Sequence, residues 1–181
     1  MAESPWPWLA LLAVLCLWML GAYNRLVALR AAILAAWTQA DAEFTTRSRL
    51  VVALLTAVQT QLDDEHAALV AAGAAQSELQ TAWDATRPRP TDAAAVAALA
   101  AADAALAARL ARLVALIEQR AALLADAGVA AQLRSLRELE PRLAFARQSY
   151  NAAAERHDAA LRQFPTRLLE PVFRFGPAGR L

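Results

Sequence analysis

The stretch that decides the fold is YNRLVALRAAILAAWTQADAEFTTRSRLVVALLTAVQTQL, residues 23–62. Its apolar residues recur at steps of three and four, which is the spacing of one face of an α-helix. That face comprises Leu26, Leu29, Ile33, Trp37, Ala40, Phe44, Val51, Leu54, Val58, Leu62 and, further on, Leu69. We therefore expect one helix from Tyr23 to Gly73, about 75 Å long. Arg47 and Ser48 interrupt the apolar face, which indicates either a kink or a contact with another helix.

The segment before this stretch is PWPWLALLAVLCLWMLGAY, residues 5–23, and it carries no charge. A helix needs about 20 such residues to cross a bilayer core. Trp6, Trp8 and Tyr23 stand at its two ends, where amphipathic rings favour the membrane interface. Because the preceding MAES has no basic side chain and no small-residue cleavage motif follows, we expect an uncleaved transmembrane anchor. The alternatives are a cleaved signal peptide and a lipoprotein processed at Cys16.

Charges on the two sides of this segment predict its orientation. Glu3 precedes it, whereas Arg25 and Arg30 follow it. Cytoplasmic flanks of membrane spans are enriched in arginine and lysine. We therefore expect the C-terminal part of the chain to lie in the cytoplasm.

The clearest boundary further along is RPRPT, residues 87–91, because two prolines disrupt helical geometry there. Thr91 or Asp92 can then cap a second helix. Its apolar residues repeat at heptad spacing, with Asp103 occupying one position of the series. They are Val96, Leu99, Leu106, Leu110, Leu113, Ile117 and Leu124.

Gly128 indicates a second break, followed by a third amphipathic helix. Its predicted buried stripe is Leu133, Leu136, Leu139, Leu143, Ala146, Tyr150, Leu161 and Phe164. Pro141 falls inside this stripe. Since proline is unfavourable within a helix, either the helix is kinked at Pro141 or a new helix begins after Glu140.

Composition favours an all-α protein and excludes several functions. The chain is 59% hydrophobic, much of it alanine, with 5 glycines. Its 18 basic residues, all arginine, balance 17 acidic residues to a net charge of +1, so we expect no nucleic-acid partner. The histidines are His66 and His157, and the single cysteine lies in the apolar segment. We therefore expect no catalytic site, no metal and no cofactor.

These patterns divide the chain into three parts. Residues 1–22 are expected to form the transmembrane anchor, residues 23–165 an antiparallel bundle with a loop at 87–91, and residues 166–181 an apolar, arginine-bearing tail. If residues 74–86 form a separate arm, the bundle has about four helices and the last one ends near the membrane. The tail then contacts either a membrane or partner surface or the end of the bundle itself. The expected contact residues are Phe164, Arg167, Phe173, Arg174 and Phe175.

Two stretches resemble the LemA family. The first is residues 23–51, and the second is RLAFARQSYNAAAERHDAALRQFPTRLLEPVFRF, residues 142–175. The matching residues of the first are Tyr23, Asn24, Leu26, Val27, Leu29, Arg30, Ala36, Trp37, Asp41, Arg47 and Arg49. Those of the second are Arg142, Ala144, Ala146, Arg147, Tyr150, Asn151, Phe164 and Pro165. Where the family has another Tyr-Asn pair, this chain has His157 and Asp158.

The resemblance implies an antiparallel bundle of about four helices on a single-pass anchor in a bacterial inner membrane, without an assigned molecular function. Within such a bundle we expect Tyr23, Asn24, Asp41, Tyr150 and Asn151 to form a structural polar network, with the two Tyr-Asn pairs buried and setting the register of the helices. A ligand site at these residues is the alternative.

The function expected from this organisation is a non-enzymatic, membrane-anchored scaffold or adaptor. Its expected partners are the lipid bilayer and another membrane or envelope protein, and a homo-oligomer is also compatible with the pattern. A membrane-remodelling or organelle-organising protein is the second interpretation, because LemA-like proteins occur among those that shape bacterial intracellular membranes. An enzyme is the least favoured.

Overall fold

The structure, a computed structural model, describes residues 6–62, 65–163 and 177–181. Over this part of the chain there are five helices: α1 (Trp6–Val58), α2 (His66–Thr86), α3 (Ala93–Glu118), α4 (Ala121–Ala125) and α5 (Ala127–Arg162). The same residues contain no strand. The predicted all-α fold is confirmed.

The four long helices form an antiparallel bundle in which α1 packs mainly along α5, and α2 mainly along α3. Arg25 Nη1 donates to Gln163 Oε1 at 2.9 Å, which places the end of α5 beside the part of α1 that follows the apolar segment. We call this the proximal end of the bundle. The opposite end, where α1 finishes at Val58 and α4 lies between α3 and α5, is the distal end.

The core consists of the apolar faces that the spacing predicted, except that the predicted Leu124 is 44% exposed and Leu123 is buried instead. All of its α1 members are buried except Leu29, which is half-buried at the edge of a small cluster formed by Leu26, Ala160 and Leu161. On α3, the buried residues are Val96, Leu99, Asp103, Leu106, Leu110, Leu113 and Ile117. The interior is therefore closely packed by leucine, valine and alanine, with one acidic residue in its middle.

The predicted single helix from Tyr23 to Gly73 is wrong. The chain leaves α1 at Val58, whose carbonyl accepts from the N–H groups of Gln61 and Leu62 at 3.1 Å each, and α2 begins at His66. Leu62 remains buried and closes the distal end of the core. Arg120 Nη1 donates to the Gln61 carbonyl at 2.9 Å and ties this turn to the end of α3.

The other boundaries follow the prediction in part. Residues 87–92 form the turn between α2 and α3, and Asp92 caps α3 by accepting from the Ala95 N–H at 2.9 Å. The break expected at Gly128 lies earlier, around the five-residue helix α4, and Asp126 caps α5 by accepting from the Gly128 N–H at 2.8 Å. Helix α5 runs through Pro141 without a restart.

Among the helices of the described residues, two are long and apolar enough to cross a membrane: α1, through its N-terminal part, and α3. The apolar face of α3 is buried in the bundle, so packing accounts for its composition. The first part of α1 lies outside the core, with Leu17 70% exposed and Trp8 71% exposed. Along the described part of α1, the first buried side chain is Leu26.

Candidate functional site

Near the middle of the bundle-forming part of α1, Asp41 joins α1 to the end of α2. Its Oδ1 accepts from Trp83 Nε1 at 2.6 Å and from Arg87 Nε at 3.0 Å. The Arg87 guanidinium also lies over the Trp83 ring, 4.3 Å from its centroid, a favourable cation–π geometry. One half-buried carboxylate thus positions both the last aromatic residue of α2 and the first residue of the following turn.

Tyr150 joins α5 to the same turn. Its ring is fully buried edge-on to Trp37, with centroids 6.1 Å apart, and its hydroxyl donates to the Pro90 carbonyl at 2.6 Å. Burial of the ring, followed by the negative charge of Asp158, raises the pKa of Tyr150 to about 12. Tyr150 therefore fixes the position of α5 along its axis relative to the α2–α3 turn.

Replacing Tyr150 with phenylalanine is expected to cost about 1–3 kcal/mol at pH 7, because the buried Pro90 carbonyl loses its donor. An unfolded tyrosine has a pKa of about 10. Since the folded pKa is higher, the stabilising contribution is complete below about pH 10 and is lost as the pH rises to about 12. Thermal melting between pH 9 and 12 checks this: Tyr150→Phe should lose less stability over that interval than the unsubstituted chain, and parallel pH curves would contradict the assignment.

Asn151, the neighbour of Tyr150, binds the last residues of the chain, 177–181, which we call the strap. Asn151 Nδ2 donates to the Leu181 carbonyl at 2.6 Å, and Asn151 Oδ1 accepts from the Leu181 N–H at 2.8 Å. Asp158 Oδ1 accepts from the Ala178 N–H at 2.9 Å, and Asp158 Oδ2 accepts from Arg180 at 3.1 Å. The strap therefore lies along α5 and is held by both main-chain and side-chain contacts.

Gly179 places the strap against the start of α3. A Cβ atom at residue 179 would lie 2.5 Å from Val96 Cβ and 3.1 Å from Ala93 Cα. Gly179→Ala is therefore expected to detach the strap, seen as faster hydrogen exchange at the Ala178 and Leu181 amides, by about tenfold or more. Gly73→Ala is the matched control, because a Cβ atom there meets nothing within 4 Å. Unchanged exchange in Gly179→Ala would show that the strap does not occupy this position in solution.

The interruption of the apolar face at Arg47 is a contact between helices. Arg47 on α1 and Arg147 on α5 both pair with the carboxylate of Asp103 on α3. Arg47 is only 2% exposed, and its Nε lies 3.8 Å from Glu140 Oε1 on α5. Three helices thus meet at one buried ionic cluster, which we call the central triad: Arg47, Asp103 and Arg147.

The expected polar network is only partly assembled. Asp41, Tyr150 and Asn151 make the contacts described above, which connect α1, α5 and the α2–α3 turn. Tyr23 and Asn24 are exposed and precede the first buried residue of α1, so the expected burial of this pair is wrong. Both residues lie directly after the apolar segment of α1.

The predicted contact residues of the tail lie outside the described residues. These are Phe164, Arg167, Phe173, Arg174 and Phe175. Residues 177–181, the described end of the tail, fold back onto the bundle. This is one of the two alternatives stated above for the tail. For residues 164–176, the contact with a membrane or partner stays a prediction.

The residues of the site that the sequence did not indicate include Trp83, Arg87, Pro90, Asp158 and Arg180. A signal existed for Asp158, because His157 and Asp158 replace a Tyr-Asn pair of the LemA pattern, and a changed pair can indicate a changed contact. For Trp83, Pro90 and Arg180, no spacing in the sequence marks the partner. Among residues 6–62, 65–163 and 177–181, no three His, Cys, Asp or Glu side chains converge as metal ligands would.

Among the grooves on the described surface, two bear on function. The distal groove, about 520 Å³, lies between α1 and α2 and is lined by apolar side chains such as Val52, Leu55 and Val70 beside uncharged polar ones. Gln76 forms part of its wall, is 6% exposed, and accepts no hydrogen bond at its Oε1 from any described residue. The proximal groove, about 690 Å³, lies between α1, the start of α3 and the strap.

Comparison with known proteins identifies a family. The sequence model of the LemA family matches residues 36–180, most of the chain. The matched range covers the bundle from within α1 to the strap. No curated protein matches the chain significantly.

Proposed function

The chain belongs to the LemA family, and on that premise we propose that it is a non-enzymatic, membrane-anchored adaptor that binds a helix of another membrane protein in the distal groove. The observation that carries the proposal is the groove itself. The groove is mostly apolar, its described lining contains no aspartate, glutamate or arginine, and Gln76 Oε1 is a buried acceptor without a hydrogen-bond donor among the described residues.

Anchoring is supported by the first part of α1. Its large apolar side chains lie outside the core, so in water they would leave an apolar surface along several turns. Residues 6–24 contain no charged side chain, and Arg25 is the first to follow. In this proposal the anchor crosses a bacterial inner membrane and the bundle stands on the cytoplasmic side.

The partner is expected to be an amphipathic helix rather than an extended peptide. Extended peptides usually add to the edge of a sheet, and the described chain is helical, whereas a groove between two helices accepts the apolar face of a third. Ser48, Gln76 and Gln80 form a ladder of uncharged polar side chains along the groove, with Gln76 Nε2 donating to Ser48 Oγ at 2.8 Å. A serine, asparagine or glutamine on the incoming helix would satisfy Gln76 Oε1.

Filling the groove tests the proposal. Gly73 lines the distal groove, and a Cβ atom there meets nothing within 4 Å. Gly73→Leu should therefore block the groove without disturbing the fold, and should reduce capture of a specific membrane protein from detergent-solubilised membranes by about tenfold or more. Ala74→Leu is the matched control, since Ala74 is exposed on the same helix and does not line the groove.

Equal capture by both variants would reject the groove as the binding surface. Enrichment of only the chain itself and lipid, in the unsubstituted protein as well, would favour the membrane-organising alternative. Anchoring is tested separately by carbonate extraction of membranes followed by intact-mass measurement. Release of the chain, or a mass corresponding to loss of the apolar segment, would reject the anchor.

A further inference from the structure

The proximal groove collects cationic and hydrogen-bonding groups from three parts of the chain. Arg30 on α1 and Arg89 in the α2–α3 turn line it, together with the first residues of α3 and Pro177 of the strap. Arg30 pairs with no acidic residue in the described chain, while the largely exposed Arg89 has its Nη1 3.8 Å from Oδ2 of the half-buried Asp92. The groove is thus lined by two guanidinium groups.

A buried histidine forms part of the wall. His157 is 4% exposed and lines the groove, and its Nδ1 makes no hydrogen bond to any described residue. The nearest acidic atom, Asp158 Oδ1, is 3.6 Å away and already accepts from the Ala178 N–H. Burying a polar nitrogen without a partner is unfavourable, so the histidine indicates that a bound group completes this wall.

The other charged residues of the proximal groove indicate whether the bound group is an anion or a cation. Asp92 is the acidic residue of the lining, and its pKa is lowered by the hydrogen bond from the Ala95 N–H. Arg30 and Arg89 outnumber this one negative charge, which already caps the N-terminus of α3. The balance favours an anion, and arginine pairs with phosphate oxygens through two parallel hydrogen bonds.

The position of the groove suggests where the anion comes from. Arg30 lies five residues beyond Arg25, where the charged part of α1 begins, which corresponds to about 7.5 Å along the helix. The headgroup layer of a bilayer is about 5–8 Å thick on each side. We propose that the proximal groove binds the phosphate of an anionic membrane lipid, with Arg30 and Arg89 as its ligands and His157 as a hydrogen-bonding wall. The choice of a lipid rests on the proposed membrane anchor.

The test uses the full chain in non-ionic detergent micelles, titrated with dihexanoyl phosphatidylglycerol and followed by native mass spectrometry. Arg30→Gln combined with Arg89→Gln should weaken binding by about tenfold or more. The matched control is Arg109→Gln combined with Arg112→Gln, which removes the same charge from exposed positions of α3 outside the groove. It should bind the lipid as the unsubstituted chain does.

Three results would overturn the proposal. Equal binding by both double variants and the unsubstituted chain would exclude the groove. Equal weakening in both double variants would show a general charge effect. Binding of glycerol 1-phosphate as tight as that of the lipid would identify a site for soluble phosphate compounds. Because micelles require neither a protein partner nor insertion, failure of the capture or carbonate experiments would reject the adaptor or the anchor independently of this result.

Discussion

Replacing Asp103 with alanine is expected to destabilise the bundle by about 3–5 kcal/mol, because it leaves Arg47 buried with its closest counter-charge removed. Arg47 is 2% exposed, and Glu140, at 3.8 Å from its Nε, is mostly exposed and too distant to replace Asp103. Thermal unfolding of the purified full chain, followed by circular dichroism of the helices, measures the loss.

A double variant separates the charge effect from simple loss of packing. Arg47→Met together with Asp103→Leu removes both buried charges and keeps apolar volume in the core. It should recover most of the stability, since buried ion pairs can often be replaced by apolar residues without net cost. Arg147 is 26% exposed in its side chain and can turn toward solvent. If the Asp103→Ala variant has the same melting temperature as the unsubstituted chain, the central triad is hydrated.

Replacing Phe44 with alanine is expected to cost about 3–5 kcal/mol. Its ring is 2% exposed, packs against Trp83 with centroids 6.0 Å apart, and lies 5.7 Å below the Arg147 guanidinium. The alanine variant would therefore leave a cavity between α1, α2 and α5. Urea unfolding of the Phe44→Ala variant is compared with that of Phe145→Ala, a control of the same residue type on α5.

Phe145 is 60% exposed, so its removal should change the free energy of unfolding by no more than about 0.5 kcal/mol. If the two phenylalanine variants unfold at the same urea concentration, Phe44 does not lie in the core of the protein in solution. A loss in both would instead indicate that the exposed face of α5 is covered in an oligomer.

The buried face of each long helix could be predicted from the sequence because helical periodicity depends only on neighbouring residues. Ile33, Phe44 and Leu54 were assigned to the core in this way, and the structure buries all three. The turn after Val58 could not be predicted. Gln59, Thr60 and Gln61 include no glycine or proline, and the apolar spacing continues through Leu62 to Leu69, so nothing local distinguishes a reversal from a continued helix.

The contacts of the site were less accessible to sequence reasoning because they join distant parts of the chain. Asp103 was recognised as an acidic residue among leucines, but its pairing with Arg47 and Arg147 depends on how three helices align. Tyr150 and Asn151 belong to the stretch that resembles the LemA family. Their hydrogen-bond acceptors are the carbonyls of Pro90 and Leu181, which are main-chain atoms and carry no residue-specific signal.

The continuity of helix α1 has a mechanical consequence. It runs from Trp6 to Val58 without a break, through Gly21, so its apolar part and the bundle share one rigid axis. From Arg25 to Val58 this axis is about 50 Å long. A tilt of about 20°, which is common for helices in bilayers, would swing its far end sideways by about 17 Å. A change in bilayer thickness that alters the tilt of α1 would thus move the distal groove sideways relative to the membrane.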